Sequence, residues 1–193
     1  MRRSSPGSSR RARAEGQRLA LEVERVDVVG TWLRQVSHGA DPRARPHPPP
    51  DNRWQRGDVV DALYLADAEP TLWAEWYRHL AEAGIPPLYQ LPRDVWSFEI
   101  GRLTIADLTT DERLVRVGLD RPRPGRHGWP SFQAIGETLH REGWGGLLSP
   151  SAARPDGLVL CLFIPPGMPL PATPKPPPEV VREPPVPPTG MRT

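Results

Sequence analysis

The spacing of apolar residues changes period along this chain, and each change predicts an element. Over residues 31–36, Trp32, Arg34 and Val36 alternate with Leu33 and Gln35, the two-residue period of a short strand. Residues 62–66 (Ala-Leu-Tyr-Leu-Ala) are apolar throughout and suit a buried strand. Asp67 to Pro70 then reads as a helix start with proline in the first turn. At about 100° per residue, Leu72, Trp73, Trp76, Tyr77 and Leu80 share one face, which predicts an amphipathic helix over 71–83 that stops at Gly84.

Residues 95–100 alternate like a strand and 103–108 predict another. Thr109 with Glu112 three residues on is a capping box opening a short helix that ends by Gly118. Phe132, Ile135, Gly136 and Leu139 fall on one face of a further helix, closed by Gly143. Residues 145–148 lead into Ser149, Pro150 and Ser151, and the apolar run 158–164 predicts a final strand. That run is the longest of its kind and far short of the ~20 residues a membrane helix needs. Strands and helices interleave without regular βαβ spacing, so the expected class is α+β.

Composition sets the boundaries of the foldable part. Of 27 prolines in 193 residues, twelve lie between Pro165 and Pro188 and five between Pro42 and Pro50. The chain divides into three segments: a disordered basic arm over 1–18, a single compact domain over 19–164 carrying a long Pro-rich loop at 37–52, and a Pro-rich disordered tail over 165–193. The tail has PxxP spacing at Pro171/Pro174 and Pro184/Pro187, but such spacing arises by chance in any proline-dense stretch, and a solvated extension is the preferred reading.

Charge obeys the same division. The chain is +2 overall, yet the arm holds six arginines against Glu15 and the tail is +1, so the body is −4. A basic arm on an acidic body argues against nucleic-acid binding by the folded part. No apolar stretch comes after Arg2 and Arg3, so the arm is not read as a secretory or twin-arginine signal. The single cysteine, Cys161, makes no internal disulfide and fits a reducing, cytoplasmic setting.

Most familiar chemistry finds no support. The five histidines and one cysteine lack CxxC, HxxxH and HExxH spacing, so no metal site is expected. Gly143-Trp144-Gly145-Gly146 fits neither a Walker loop nor GxGxxG, and neither Ser149 nor Ser151 sits in GxSxG. Four residues remain: Arg53, Tyr64, Glu75 and Ser151. Taken singly, Arg53 is one of many surface arginines, Tyr64 a strand residue with its hydroxyl at the rim, and Ser151 a turn residue after proline. Glu75 lies roughly 130° from the centre of the helix's apolar stripe beside Arg78, where an i,i+3 ion pair on a wet surface is ordinary.

The order of the motifs adds to this. Arg53-Trp54, then Leu-Tyr-Leu-Ala, then Thr-Leu-Trp-Ala-Glu, and finally Leu-Leu-Ser-Pro-Ser-Ala-Ala-Arg before an apolar strand resembles the RES domain family, over about residues 31–164. The resemblance implies a fold similar to ADP-ribosyltransferases and the activity of a toxin, in a toxin–antitoxin pair, that degrades NAD. It places Arg53, Tyr64, Glu75 and Ser151 at the family's site positions, with Arg34 resembling a further family arginine. It also implies an antitoxin partner with a helix-turn-helix region. Asn52, Gln55, Leu72 and Trp73 depart from residues often found in the family, which bears on the width of the pocket.

The residue types suit that chemistry. Nicotinamide leaves as a neutral base, so one carboxylate suffices where ordinary glycoside hydrolysis uses two. Glu75 is expected to stabilise the oxocarbenium-like transition state, Arg53 and Arg34 to hold the diphosphate, Tyr64 to meet the ribose, and Ser151 to hold a ribose hydroxyl or the incoming phosphate or water. NAD is then a substrate, phosphate a co-substrate if the reaction is phosphorolysis, and no cofactor or metal is expected. Transfer of ADP-ribose to a protein is one alternative; a non-catalytic module recruiting partners through the tail is another.

Overall fold

The computed structural model describes residues 20–165 and 167–193; the predicted basic arm lies outside the described residues. The sheet is organised by β5 (Leu158–Phe163), which lies between β2 (Ala62–Ala66) and β4 (Gly146–Pro150), antiparallel to both. Its apolar run is continuous because both faces are covered: Leu160 and Leu162 enter one cluster with Leu63, Leu65, Phe98 and Ile105, while Cys161 and Phe163 enter another with Trp54, Leu139 and Leu147. β2 alternates in the same way, which turns Tyr64 away from Leu63 and Leu65.

β1 (Glu24–Ser37) pairs antiparallel with β3 (Arg93–Asp107) along nearly its whole length and touches β2 through Leu33 and Ala66. β3 also runs parallel to β4, so five strands close on themselves in the order β1-β2-β5-β4-β3. The strands expected at 95–100 and 103–108 are thus one element, exposed at Gly101 and Arg102 where the apolar pattern lapses. β1 is likewise longer than the six residues its alternation predicts. Its first half mixes charged residues with three valines, with Asp27 accepting from Thr104 and Val28 in the core, and a bulge between Val28 and Gly30 shifts the alternation.

The largest departure is the Pro-rich tail. Thr173–Val181 forms β6, antiparallel to β3 over Arg93–Glu99, so the disordered, solvated reading does not hold there. Proline lacks an amide donor, yet β6 needs donors on one side only because it is an edge strand. Val181 at its end packs against the buried cluster that includes Trp76, Leu80 and Val95.

Among the described residues, three α-helices decorate the sheet. α1 (Glu69–Ala83) has Pro70 in its first turn, ends on Gly84 with φ 65°, and packs Leu72, Trp73, Trp76 and Leu80 against Ala66 and Val95. α2 (Asp111–Arg116) is capped by Thr110, whose hydroxyl accepts from the Arg113 amide; Thr109, the expected cap, instead bonds Asp107. α3 (Trp129–Arg141) packs Phe132 and Leu139 against Leu147 and Phe163. A short 3-10 turn, Pro87–Gln90, was not anticipated by the apolar pattern.

One close approach sets the distance between α1 and the turn after β4. A Cβ on Gly157 would stand 2.2 Å from Thr71 Oγ1 and 2.8 Å from Thr71 Cγ2. Only glycine lets the turn lie flat against the buried Thr71 of α1. Gly157→Ala is expected to lower stability by about 1–3 kcal/mol through this overlap, and Thr71→Ala in the same chain to recover most of it. Thermal melts of the single and double variants measure both.

Candidate active site

Thr71, Glu75, Arg78 and Glu82 recur on one flank of α1, beside its apolar stripe. This flank faces the turn after β4, not solvent. Ser151 begins that turn with its amide on the Gly157 carbonyl (2.8 Å). Its hydroxyl oxygen accepts from the amides of Ala153 (3.1 Å) and Arg154 (2.9 Å), which leaves its proton to be donated to Glu75 Oε1 at 2.6 Å. The amides of Ala152 (3.0 Å) and Ala153 (3.3 Å) point at the same oxygen. The other oxygen, Oε2, accepts from Arg78 Nε at 2.9 Å.

The carboxylate is therefore shielded yet charged. Burial alone pushes its pKa up, but the Arg78 charge, the Ser151 hydroxyl, the Arg78 hydrogen bond and the Ala153 amide outweigh it, and the pKa lies below the usual 4.5. Arg78 shows the converse. It is only 5 % exposed, yet Glu75 and Glu82 hold its pKa above the ordinary value against its own burial. Glu82 accepts from Arg78 Nη1 (2.5 Å) and from the Gly125 amide (2.9 Å), tying α1 to the loop before α3.

The other arginine arrives on a tight turn. Asn52 and Gln55 exchange backbone hydrogen bonds (2.7 and 3.2 Å), and Gln133 of α3 donates to the carbonyls of both. Gly136 lets α3 come close, since a Cβ there would stand 2.1 Å from the Trp54 carbonyl oxygen. Arg53 projects from this turn, donates to the Arg123 carbonyl (2.5 Å) and lies over the Phe132 ring (5.2 Å). Burial, then the Arg78 charge, lower its pKa to about 10, so it remains a cation at neutral pH. Tyr64 in β2 accepts from the Trp54 amide (3.3 Å); burial beside Cys161 raises its pKa, and the phenol stays neutral.

These groups surround a cavity of about 280 Å³, lined by Arg53, Tyr64, Glu75, Arg78 and Trp129 among others. Arg34 lines it too, but its guanidinium is engaged: Nη1 donates to the Pro42 carbonyl (2.7 Å) and Nη2 to that of Ala44 (3.1 Å). It also anchors the Pro-rich loop through these two bonds. A smaller recess of about 150 Å³ behind Arg34, Asn52 and Tyr64 adjoins the first. Ser151 is 2 % exposed and does not line the cavity; it meets the site through its hydrogen bond to Glu75.

The structure thus brings Arg53, Tyr64, Glu75 and Ser151 into one region and puts Arg34 at its rim. The wet-surface reading of the Glu75–Arg78 pair does not hold, because the polar flank of α1 packs against a turn and a loop remote in sequence. Arg78, Glu82 and Trp129 were missed. The only signal for Arg78 was its i,i+3 spacing from Glu75, which surface helices show routinely. Leu72 and Asn52 line the cavity, so those two departures from the family's residues do fall at the pocket. Among the described residues, no three of His, Cys, Asp and Glu stand together as a metal site.

This geometry has counterparts among known proteins. The model of the RES domain matches residues 23–182, and the chain belongs to that family. The match includes β6, in agreement with its place in the sheet. Among curated relatives, "Probable NAD(+) phosphorylase Rv3189" of Mycobacterium tuberculosis is 28 % identical over 146 residues, covering 72 % of this chain and 67 % of the relative. A chain of the M. tuberculosis MbcT–MbcA toxin–antitoxin complex shares the fold, with a TM-score of 0.68 and 21 % identity over 82 % of this chain and 86 % of that one.

Removing Arg78 leaves two carboxylates without their shared cation. Arg78→Met is expected to cost about 3–5 kcal/mol at pH 7, measured by urea unfolding. The pH dependence comes from the sign of the shift. The folded pKa of Glu75 is depressed, so its contribution is present above the ordinary 4.5 and lost as pH falls through the lower folded value. Without Arg78 the folded pKa rises, and the acid-induced loss begins at higher pH.

Proposed function

We propose that this RES-domain protein cleaves NAD between nicotinamide and ribose and passes the ADP-ribosyl group to inorganic phosphate. The observation that carries the reading is an ionised Glu75, held by Ser151, two amides and Arg78, on the wall of a cavity that Arg53 and Tyr64 share. The activity named for the M. tuberculosis relative supports the same reaction class.

The bond between ribose C1′ and the pyridinium nitrogen breaks with its electron pair passing to nitrogen, which cancels the ring's charge and releases neutral nicotinamide. No proton need be supplied to the leaving group. Positive charge builds on C1′ and the ring oxygen, and Glu75 faces it. A full negative charge about 4 Å away is worth at most about 4 kcal/mol at an effective dielectric of 20, roughly a thousandfold in rate. Arg78 shares part of that charge, so the benefit is smaller. A phosphate oxygen then forms the new bond to C1′, giving ADP-ribose 1″-phosphate. NAD and phosphate are substrates, and the step calls for no cofactor.

Arg53, with Arg34 at the rim, holds the diphosphate or the attacking phosphate, since each guanidinium keeps N–H donors beyond those bonded to loop carbonyls. Tyr64, neutral and rigid in β2, meets the ribose. Ser151 positions Glu75 and fixes its charge. Uncontrolled, such an activity drains the NAD pool, which fits a cytoplasmic toxin whose antitoxin, with a helix-turn-helix region, covers the cleft. No helix among the described residues is long and apolar enough to cross a membrane.

Phosphorus NMR of NAD incubated with the protein and phosphate is expected to show ADP-ribose 1″-phosphate appearing with free nicotinamide. Glu75→Gln should lower kcat by about 10²–10³-fold while the chain stays folded by circular dichroism. Free ADP-ribose instead would assign hydrolysis, and labelled protein would assign ADP-ribosyl transfer. Intact NAD with folded wild-type protein would leave the non-catalytic interaction module.

A further inference from the structure

Beyond β6 the chain crosses α1 and returns to the site. Val181 is seated in the α1 cluster, the Tyr77 hydroxyl donates to the Pro185 carbonyl, and the Arg192 amide donates to the Ala153 carbonyl at 2.7 Å. Pro185, Pro188 and Met191 are half-buried while the residues between them are exposed, so the segment lies along the domain on one edge. Ala153 is fully buried, and its own amide is one of the donors to Glu75. The segment therefore ends on the peptide unit next to the one that holds the carboxylate.

We propose that residues 182–193 are a clasp that fixes the turn from Ser151 to Ala153 against Glu75, making the segment a positioning element for the acid. This rests on the NAD-cleaving reading for its kinetic consequence, not for its structural one. Three donors of the turn converge on a single oxygen, and they hold that geometry only while the turn cannot recoil. From outside the turn, Arg121 bonds the Pro155 carbonyl at 2.8 Å, and Gly157 packs on Thr71. These anchor its far half. The Arg192 amide anchors the half that carries Ala152 and Ala153.

The composition of the segment suits a clasp. Prolines 184, 185, 187 and 188 restrict the free chain, so docking costs less conformational entropy than for an ordinary segment. Seven steps from Pro185 to Arg192 reach up to about 22 Å in a polyproline conformation, enough to cross a helix about 10–12 Å wide. None of residues 182–193 lines the cavity, so the segment braces the site from behind and does not plug it.

The test compares the full chain with one that stops after Arg182, which keeps β6. The clasp predicts faster hydrogen exchange at the Ala152 and Ala153 amides in the shortened chain. It also predicts kcat about tenfold lower with KM for NAD changed by less than about twofold, since the acid is displaced while the cavity is not. A peptide of residues 183–193 added in trans should restore both. Arg192→Pro, which removes the amide donor together with the side chain, should lose several times more activity than Arg192→Ala, which removes the side chain and keeps the donor. Unchanged exchange and kcat in the shortened chain, or higher activity there, would overturn the clasp, as would equal losses in the two Arg192 variants. A full chain that leaves NAD intact would refute the NAD reading alone, and the exchange measurement would still decide the clasp.

Discussion

Glu75 keeps its negative charge although most of it is shielded from bulk water, because the protein supplies donors to both of its oxygens. Ser151 and two amides converge on one oxygen and Arg78 on the other. Losing one of these donors leaves a shielded charge short of a partner, a penalty of about 1–3 kcal/mol for a hydrogen bond and more for the cation. The placement of α1, of the turn after β4 and of the loop before α3 all answer to this requirement. Gly157 allows the first contact and the Glu82–Gly125 bond fixes the second.

The closed sheet supplies the rigidity that such convergence needs. Tyr64 and the Ser151 turn leave from β2 and β4, the two neighbours of β5, so their separation is set by paired backbone. Arg53 is the exception, since it comes from a loop. It is held there by the Asn52–Gln55 bridge, by Gln133 and by the approach of α3 over Gly136. The cavity-lining groups thus stand on strands, a helix and one clamped turn, while the long Pro-rich loop contributes a rim pinned by Arg34.

What the sequence made legible was local and periodic. α1, α3, β2 and β5 appear where their apolar spacing puts them, because each buries a complete face or both faces. Patterns that depend on partners were read less well. β3 looked like two strands because Gly101 and Arg102 are exposed in mid-strand, and the cap of α2 moved by one residue because Thr109 is engaged by Asp107. β6 was unreadable by composition, since proline density normally signals an unpaired chain, and only the edge position on β3 makes it a strand.

The site was legible through the order of its motifs more than through any one residue. Periodicity put Glu75 and Arg78 on a polar flank and had no means of knowing that a remote turn would cover it. The same limit applied to Ser151, whose role as a donor to Glu75 depends on a contact 76 positions away. The central claim is that this carboxylate is ionised and held by the Ser151 turn. A carboxyl-carbon NMR titration of Glu75 in the wild type and in Ser151→Ala tests it most directly. The account predicts a wild-type midpoint below 4.5 that moves upward in the variant; a wild-type midpoint at or above 4.5, or one that ignores Ser151, would contradict it.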